Sequence, residues 1–511
     1  MTTPPSTPPP HWEASIIPVQ PGGVTALCVY SFLAALVGLV LRLVFVYRFP
    51  ASTGDGDMYL QLARNWADHH VYGLSQYGHL APTDLRTPGY PAFLAVVGLV
   101  FRRSTRAILL SQATLDIFTC FLTAALAGAL APTRARRRVW LLALWLAASC
   151  PFVANYSAVV LTEVLATFLT TVALILFALS LRQEPARWFI RGEGLFGSTF
   201  ALALLGALLT GLATLVRPEM PLLLGAAILV YALRGWRALG TRKMAVLAGA
   251  MVGAFLLPLL PWFARNLITL RKIQLLAPRY TTLPSEYPPV GYYSWTGTWL
   301  ERYRDVYLSV WKIGEEPVDM DDLPAAAFDT PAEKARIANL FAQYNSSPTL
   351  DISPELDAQF AEIARERTRR HPLRTYLRVP FERALTIWFT PRTELLPIDG
   401  KFWPLRDQWQ DSHADVLITG AFAALGYLYV ALAAGGIWAA WHAASATGAS
   451  NSRAGPNLWG IGLFLAYLLV RTAFLTTVEA PEPRYVISCY SAVLALAALV
   501  AIRNRKHEDA V

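Results

Sequence analysis

The chain has 511 residues, 55% of them hydrophobic and only 15% charged, with a formal net charge of +9 and a mean hydropathy of +0.38. Ordinary soluble domains carry about a quarter charged residues, so this balance excludes a soluble enzyme and points to a polytopic membrane protein whose basic residues report topology rather than nucleic-acid binding. All four cysteines, Cys28, Cys120, Cys150 and Cys489, lie in or beside apolar runs, which excludes a disulfide framework in the polar loops.

In chain order, residues 1–23 are Pro- and Thr-rich and read as a disordered cytoplasmic tail. They lack the basic start of a signal peptide, so the first apolar helix is expected to stay as an anchor. The first span is predicted at 24–47. A mixed polar loop, 48–106, follows. Its apolar piece, 90–101, is too short for a bilayer that needs about 20 residues, and is expected to lie on the surface as a juxtamembrane helix. Further spans are predicted at 107–130, 139–157, 160–181, 195–216, 219–233, 244–263, 416–441, 458–476 and 485–502, giving about ten.

With the N-terminus inside, the basic clusters 134–138, 182–191, 234–243 and 503–506 all fall on the inner side, as the positive-inside rule requires. Forcing 90–101 across the membrane would put the later clusters outside. The fold class is therefore an all-α polytopic membrane protein: a bundle of about ten transmembrane helices with juxtamembrane helices and a large extracytoplasmic loop. The divisions are a transmembrane catalytic module (24–264, with outer loop 48–106), an extracytoplasmic loop domain (265–415), C-terminal transmembrane helices (416–502) and a cytoplasmic tail (503–511). The loop domain holds an aromatic stretch at 280–311, an acidic one at 315–322 and helical patterns at 354–371 and 373–388. There is no internal repeat.

The groups that carry chemistry collect on the outer side. Asp55 and Asp57 flank Gly56 directly after the first span, at the start of an amphipathic pattern through Tyr59, Leu62, Ala63 and Trp66. One aspartate serves naturally as the helix N-cap. Gly56 permits a backbone turn that aims Asp55 inward, and neighbouring acids raise one another's pKa, which suits a general base. Arg86, in Arg86-Thr87-Pro88-Gly89-Tyr90-Pro91, has the paired donors that grip phosphate, or else snorkels to headgroups. Glu163 at the head of a span, Arg217 in a tight Arg-Pro-Glu turn, Arg265 and Arg484 complete an outer rim, each also readable as an interfacial anchor. Arg42 and Asp116 lie inside spans, where ionisable groups are functional candidates by default. His69-His70 lacks the spacing of a zinc pair. No nucleotide-binding or zinc-protease motif occurs.

Taken in order, Gly-Asp-x-Asp-x-Tyr, Arg-Thr-Pro-Gly-Tyr-Pro, Leu-Thr-Glu, Val-Arg-Pro, Pro-Trp-Phe-Ala-Arg-Asn and a closing Pro-Arg-Tyr resemble the GT-C membrane glycosyltransferases. The likeness is to the branch with the Rgt-type and aminoarabinose lipid A transferases, related to the protein O-mannosyltransferases. It spans 24–502. It implies a GT-C-like bundle in the cytoplasmic membrane and a polyprenyl-phosphate sugar donor, with an acceptor met on the extracytoplasmic side. The catalytic acid would land on Asp55, with Asp57 and Glu163 as companion acids. Donor phosphate would be held by Arg86, and by Arg265 and Arg484. Tyr59, Tyr90 and Arg217 would line the cavity. Asp57 stands one place later than the Asp-Glu pair of some relatives, with Gly56 between. Metal use varies across the superfamily, so no cofactor is assigned, a divalent metal remains open, and no nucleic-acid partner is expected. The rival reading is a transporter or flippase of lipid-linked saccharides, which calls for inverted repeats and helices broken at mid-membrane. A noncatalytic scaffold would leave the acids and arginines unexplained.

Overall fold

The computed structural model describes residues 21–76, 78–189, 199–280, 287–447 and 454–502. Of the expected tails at 1–23 and 503–511, residues 1–20 and 503–511 lie outside them, and 21–23 belong to the first helix. Helix α1 spans Pro21–Arg48, so helix begins three residues before the predicted span. Then come α2 (Gly54–His69), a hairpin of β1 (Gly73–Gln76) and β2 (His79–Pro82), α3 (Gly89–Val100), α4 (Thr105–Leu130), α5 (Arg136–Ala148), α6 (Pro151–Ala154), α7 (Glu163–Leu181), α8 (Thr199–Thr214) and α9 (Pro221–Leu256). Helices α10 (Leu260–Arg265), α11 (Val290–Thr296), α12 (Pro331–Ser346), α13 (Pro354–Arg370), α14 (Val379–Phe389) and α15 (Leu405–Asp411) lead to α16 (His413–Thr447), α17 (Leu458–Leu475) and α18 (Tyr490–Ala498). The antiparallel hairpin, in register Gly73 opposite Pro82, is an addition to the all-α expectation.

Among the described residues, seven helical segments are long and apolar enough to cross a membrane, and eight if the pair Arg136–Ala148 and Pro151–Ala158, bent by 49°, forms one more. This is fewer than ten for two local reasons. Thr199–Thr214 is apolar but has only 16 residues described. Pro221–Leu270 runs for 50 residues, about 75 Å of helix against a hydrocarbon core of about 30 Å. It breaks at Gly240, whose φ of 73° suits glycine alone at low cost. The two spans expected at 219–233 and 244–263 flank that break. Helix α3 has 12 residues, about 18 Å, and is too short to cross.

The bundle core runs through α4, α5, α7, α8, α9, α16, α17 and α18, with Leu130, Leu144, Phe177, Phe464 and Leu499 fully buried. The break after α5 leaves helix-end carbonyls without intrahelical partners. Arg42 of α1 fills that need. Its Nη1 donates to Ala148 O (2.9 Å) and Gly38 O (3.0 Å), Nη2 donates to Ala147 O (3.4 Å), and Nε donates to Asp116 Oδ2 (2.7 Å). Residues after α10 have a core of their own, built by Tyr292, Trp295, Ile337, Phe341, Phe360 and Ile363. The aromatic stretch thus supplies packing; α13 covers the first helical pattern, and a π-helical turn at Arg374–Arg378 running into α14 covers the second.

Because consecutive spans alternate in direction, the end of α1, the segment before α7, the turn between α8 and α9 and the segment after α17 meet at one end of the bundle. The basic segments 134–138 and 234–243 lie at the other.

Candidate active site

Helix α2 starts with Thr53 as its N-cap, in extended conformation, the hydroxyl accepting from Gly56 N at 3.0 Å. Neither aspartate caps the helix, contrary to expectation. Both stand in its first turn, where carboxylates favour the helix dipole. Two residues apart on a helix, they face nearly opposite directions. Asp55 turns toward the bundle end, whereas Asp57 is exposed in a separate groove with Gln61, Arg64 and Asn65. The pair does not form a joint acid, and Asp57 leaves the site. Gly56 has helical backbone rather than an unusual turn. Its role is close approach, since a Cβ there would stand 2.9 Å from Val160 O.

Two backbone contacts then assemble the walls. Ala51 N donates to Ala158 O (3.0 Å) within a parallel bridge of Ala51 with Val159, setting Asp55 beside Thr162 and Glu163. Gly89 N donates to Leu215 O (2.7 Å), setting Arg86 beside Arg217. The Tyr72 hydroxyl holds the Arg86 carbonyl at 2.9 Å. The result is a cavity of about 290 Å³ whose wall carries Asp55, Tyr59, Arg86, Glu163, Arg217, Glu219, Arg279, Glu479, Arg484 and Tyr485.

Asp55 is clamped. Arg86 Nη2 donates to Oδ1 at 2.7 Å, and Arg484 Nη1 and Nη2 both donate to Oδ2 at 3.2 Å. The clamp is not sealed, because the Asp55 side chain keeps 29% of its exposure. Burial pushes its carboxyl up, but the Arg484 and Arg86 guanidiniums together outweigh burial and hold it below the ordinary aspartate value. This overturns the expectation of a pKa raised by a neighbouring acid. Glu482 backs the clamp, its Oε1 accepting from Arg484 Nη2 (3.4 Å) and from the Tyr485 hydroxyl (2.7 Å).

The opposite wall is a second ion chain. Arg217 Nη1 donates to Glu163 Oε1 (2.9 Å) and Thr162 Oγ1 (3.3 Å), and Arg217 Nε donates to Glu219 Oε1 (2.6 Å). Arg471 of α17 reaches the same Glu219 oxygen at 3.0 Å. Burial raises the Glu219 carboxyl, but Arg217 and Arg471 prevail and hold it at about 2. Glu163 is 2% exposed. Its Oε2 has no hydrogen-bond partner among the described residues. Guanidiniums of Arg217 and Arg484 both lie 5.5 Å from the Tyr485 ring centre, so this tyrosine spaces the two cations.

Five residues singled out in the sequence besides Asp55 meet here: Arg86, Glu163, Arg484, Tyr59 and Arg217. Burial pushes the Tyr59 hydroxyl up to about 12, keeping it protonated. Tyr90 and Arg265 do not meet them. Tyr90 is buried behind Tyr59, in an edge contact at 5.1 Å, with its hydroxyl donating to Gln112 Oε1 (2.7 Å). Arg265 donates to the carbonyls of Tyr72 (2.6 Å) and Thr83 (2.8 Å) and lines a different, apolar pocket with Trp66 and Trp262. Sequence reasoning passed over Glu219, Arg279, Glu479 and Arg471 as site residues. For Arg471 the signal was present, an arginine within an apolar run. Among the described residues, no group of three or more His, Cys, Asp or Glu side chains could hold a metal ion.

No protein-family model matches the chain, and a sequence comparison with curated proteins finds no match. Among solved structures, the chain is similar to the oligosaccharyltransferase of Archaeoglobus fulgidus tethered to an acceptor peptide containing the NVT sequon, at 15% identity and a TM-score of 0.44. That match covers 93% of this chain but 49% of the other, so the chain spans about half the length of that protein. It is also similar to ArnT from Cupriavidus metallidurans bound to undecaprenyl phosphate, at 14% identity and a TM-score of 0.38, covering 90% of this chain and 78% of that one. Likeness at TM-scores below 0.5 leaves function to be argued from the cavity itself.

Proposed function

We propose that this polytopic membrane protein is a glycosyltransferase of the GT-C type, working at the extracytoplasmic face of the cytoplasmic membrane. It moves a sugar from a polyprenyl-phosphate donor to an acceptor hydroxyl. One observation carries the reading: a carboxylate held between two arginines in a polar cavity at the end of an apolar bundle. Such a place suits a reaction that needs a base and a phosphate grip together, on a substrate that lives in lipid.

The chemistry balances with the groups present. The acceptor oxygen attacks the anomeric carbon as its proton passes to Asp55. The bond from that carbon to the phosphate oxygen breaks, and polyprenyl phosphate leaves with the electron pair. Arg86 and Arg484 meet the charge that grows on the phosphate. The clamp gives the two roles an order. In the resting cavity the guanidiniums make Asp55 a weak base. A donor phosphate competes for their N–H groups, and as they turn to it the carboxylate loses donors and gains proton affinity. Glu163 and Glu219 hold Arg217 at the opposite wall.

One observation favours the transporter reading, the 49° bend between Arg136–Ala148 and Pro151–Ala158. The bend is satisfied by Arg42, however, and the open polar cavity lies at the bundle end. The deciding experiment uses purified protein in liposomes with a panel of labelled polyprenyl-phosphate sugars. Wild type should release sugar from one donor. Asp55→Asn should lose about a hundred- to ten-thousand-fold of that turnover while still binding donor. Near-normal turnover in a folded Asp55→Asn protein would sink the assignment of the base, and lipid crossing without turnover would install the transporter.

A further inference from the structure

A second cavity, of about 450 Å³, lies beside the first between α11, the helix 374–389 and the segment 476–479. Arg279 and Glu479 line both cavities. Their ion pair is loose, Nε to Oε1 at 3.7 Å, with the arginine side chain 67% exposed. An exposed pair of that length contributes little, so a ligand reaching from one cavity into the other displaces it at small cost.

The walls of the second cavity have a definite chemistry. The rings of Tyr280 and Tyr293 stack 12° from parallel with centroids 5.8 Å apart. Tyr376 lines the cavity from the facing helix and is 69% exposed. Arg383, 4% exposed, closes the cavity from α14. Three of its hydrogen bonds go to backbone carbonyls, from Nε to Leu300 O (2.8 Å) and from Nη1 to Thr476 O (3.0 Å) and Val478 O (2.8 Å). Its Nη2 has no partner among the described residues, and an orphaned N–H of a buried guanidinium is costly unless a ligand meets it.

We infer that this second cavity is the acceptor site and that it takes a saccharide, an inference that rests on the transferase reading of the first cavity. The C–H face of a pyranose ring carries slight positive charge and packs on the negative face of an aromatic ring. Tyr280 is covered by its stack with Tyr293 and by the Arg279 guanidinium, 5.3 Å from its ring centre, which leaves Tyr293 and the exposed Tyr376, beside Glu479 and the guanidinium donors, to match the alternating C–H and hydroxyl surfaces of a sugar. A volume of this size holds one or two sugar rings. Strand addition, one mode by which an extended peptide binds, needs a sheet edge, and among the described residues the β1–β2 hairpin, the one sheet, does not line this cavity. The Arg279–Glu479 junction places the acceptor's reactive hydroxyl toward Asp55.

The test separates the two readings by measuring acceptor binding without donor. Probes are methyl and octyl glycosides of common hexoses and disaccharides, which distinguish a free from a lipid-anchored saccharide, and a hexapeptide containing Asn, Ser and Thr. Wild type should bind at least one glycoside. Tyr293→Ala and Tyr376→Ala should each weaken that binding about tenfold and raise the acceptor KM to match. Tyr293→Phe should keep it, and polyprenyl-phosphate binding should stay within about twofold as a check on folding. Tyr376 is exposed enough that its variant tests the site even if Tyr293→Ala fails to fold. Glycoside affinity unchanged in Tyr376→Ala and in a folded Tyr293→Ala, or peptide binding that falls in glycoside's place, overturns the inference. So does a wild type that binds no glycoside of the panel. Loss of glycoside binding in the variants, with no donor turnover in wild type, would keep the saccharide site and reject the transferase.

Discussion

Two arginine–aspartate pairs in this protein have the same parts and opposite environments. Arg42 and Asp116 meet at 2.7 Å with side chains 0% and 2% exposed. Arg86 and Asp55 also meet at 2.7 Å, but at 21% and 29%. In the first pair the arginine's donors go to a carboxylate and to the backbone carbonyls bared by the break after α5. In the second, Arg86 gives one N–H to a carboxylate that fronts a cavity and another to the Leu85 carbonyl (3.3 Å). A buried pair with saturated partners is a fastening, because moving either partner leaves a naked charge. A half-open pair can exchange a partner for a ligand. The difference lies in how open the pair is to a cavity, not in the distance between the charges.

Breaking each pair should therefore fail differently. Beyond the loss of turnover in Asp55→Asn, the largest effect belongs to the fastening. Arg42→Met should cost about 3–5 kcal/mol of stability, read as lowered thermal stability in detergent, with turnover per folded molecule near wild type. Asp116→Leu added to it should recover part of the loss, since both charges leave together, but the Ala148 carbonyl still loses the Arg42 donor. A fall in turnover per folded molecule would make Arg42 part of the site.

Arg484→Gln sharpens the comparison from the other side. Donor KM should rise about tenfold, the loss of a charge-assisted grip on phosphate. The acid limb of kcat/KM should also move to higher pH. Asp55 is depressed chiefly by Arg484, so removing that guanidinium lets the carboxylate protonate sooner as pH falls. An unmoved limb would take Asp55 out of the rate equation.

Glu219 tests whether the second wall behaves as a fastening. Its pKa is lowered from 4.5 to about 2, so the stability it contributes is fully present above 4.5 and is lost as pH falls toward 2. Glu219→Gln should flatten the dependence of thermal stability on pH across that window. The smallest effect belongs to Asp57→Asn. Asp57 faces its own groove, so turnover and donor KM should stay within about twofold of wild type.

Much of this was legible from one dimension. Apolar runs of span length, the basic segments between them and the short 90–101 piece follow from local composition and the thickness of a bilayer. Asp55, Glu163, Arg217 and Arg484 could be marked because each follows or precedes a span on the same side, and Arg86 because a guanidinium stands in the Arg-Thr-Pro-Gly-Tyr-Pro turn of the outer loop. Asp57 and Arg265 could be marked by the same rule and lie elsewhere, because adjacency in sequence does not set which way a side chain faces. Two residue steps on a helix turn the direction by about 200°, which carried Asp57 away from Asp55.

By itself, then, the sequence determined the material and the layout: a helical membrane bundle, its alternating ends and the end where the ionisable groups gather. Those properties depend on solvent preference, which each segment carries alone. Only the tertiary structure decided which arginines serve carboxylates at a cavity, as Arg86, Arg217 and Arg484 do, and which are spent mainly on backbone carbonyls, as Arg42, Arg265 and Arg383 are. A guanidinium carries five donors and satisfies whatever acceptors packing leaves unpaired nearby. Those acceptors come from distant parts of the chain, Ala148 for Arg42 and Asp55 for Arg484, and they become neighbours only when the helices pack.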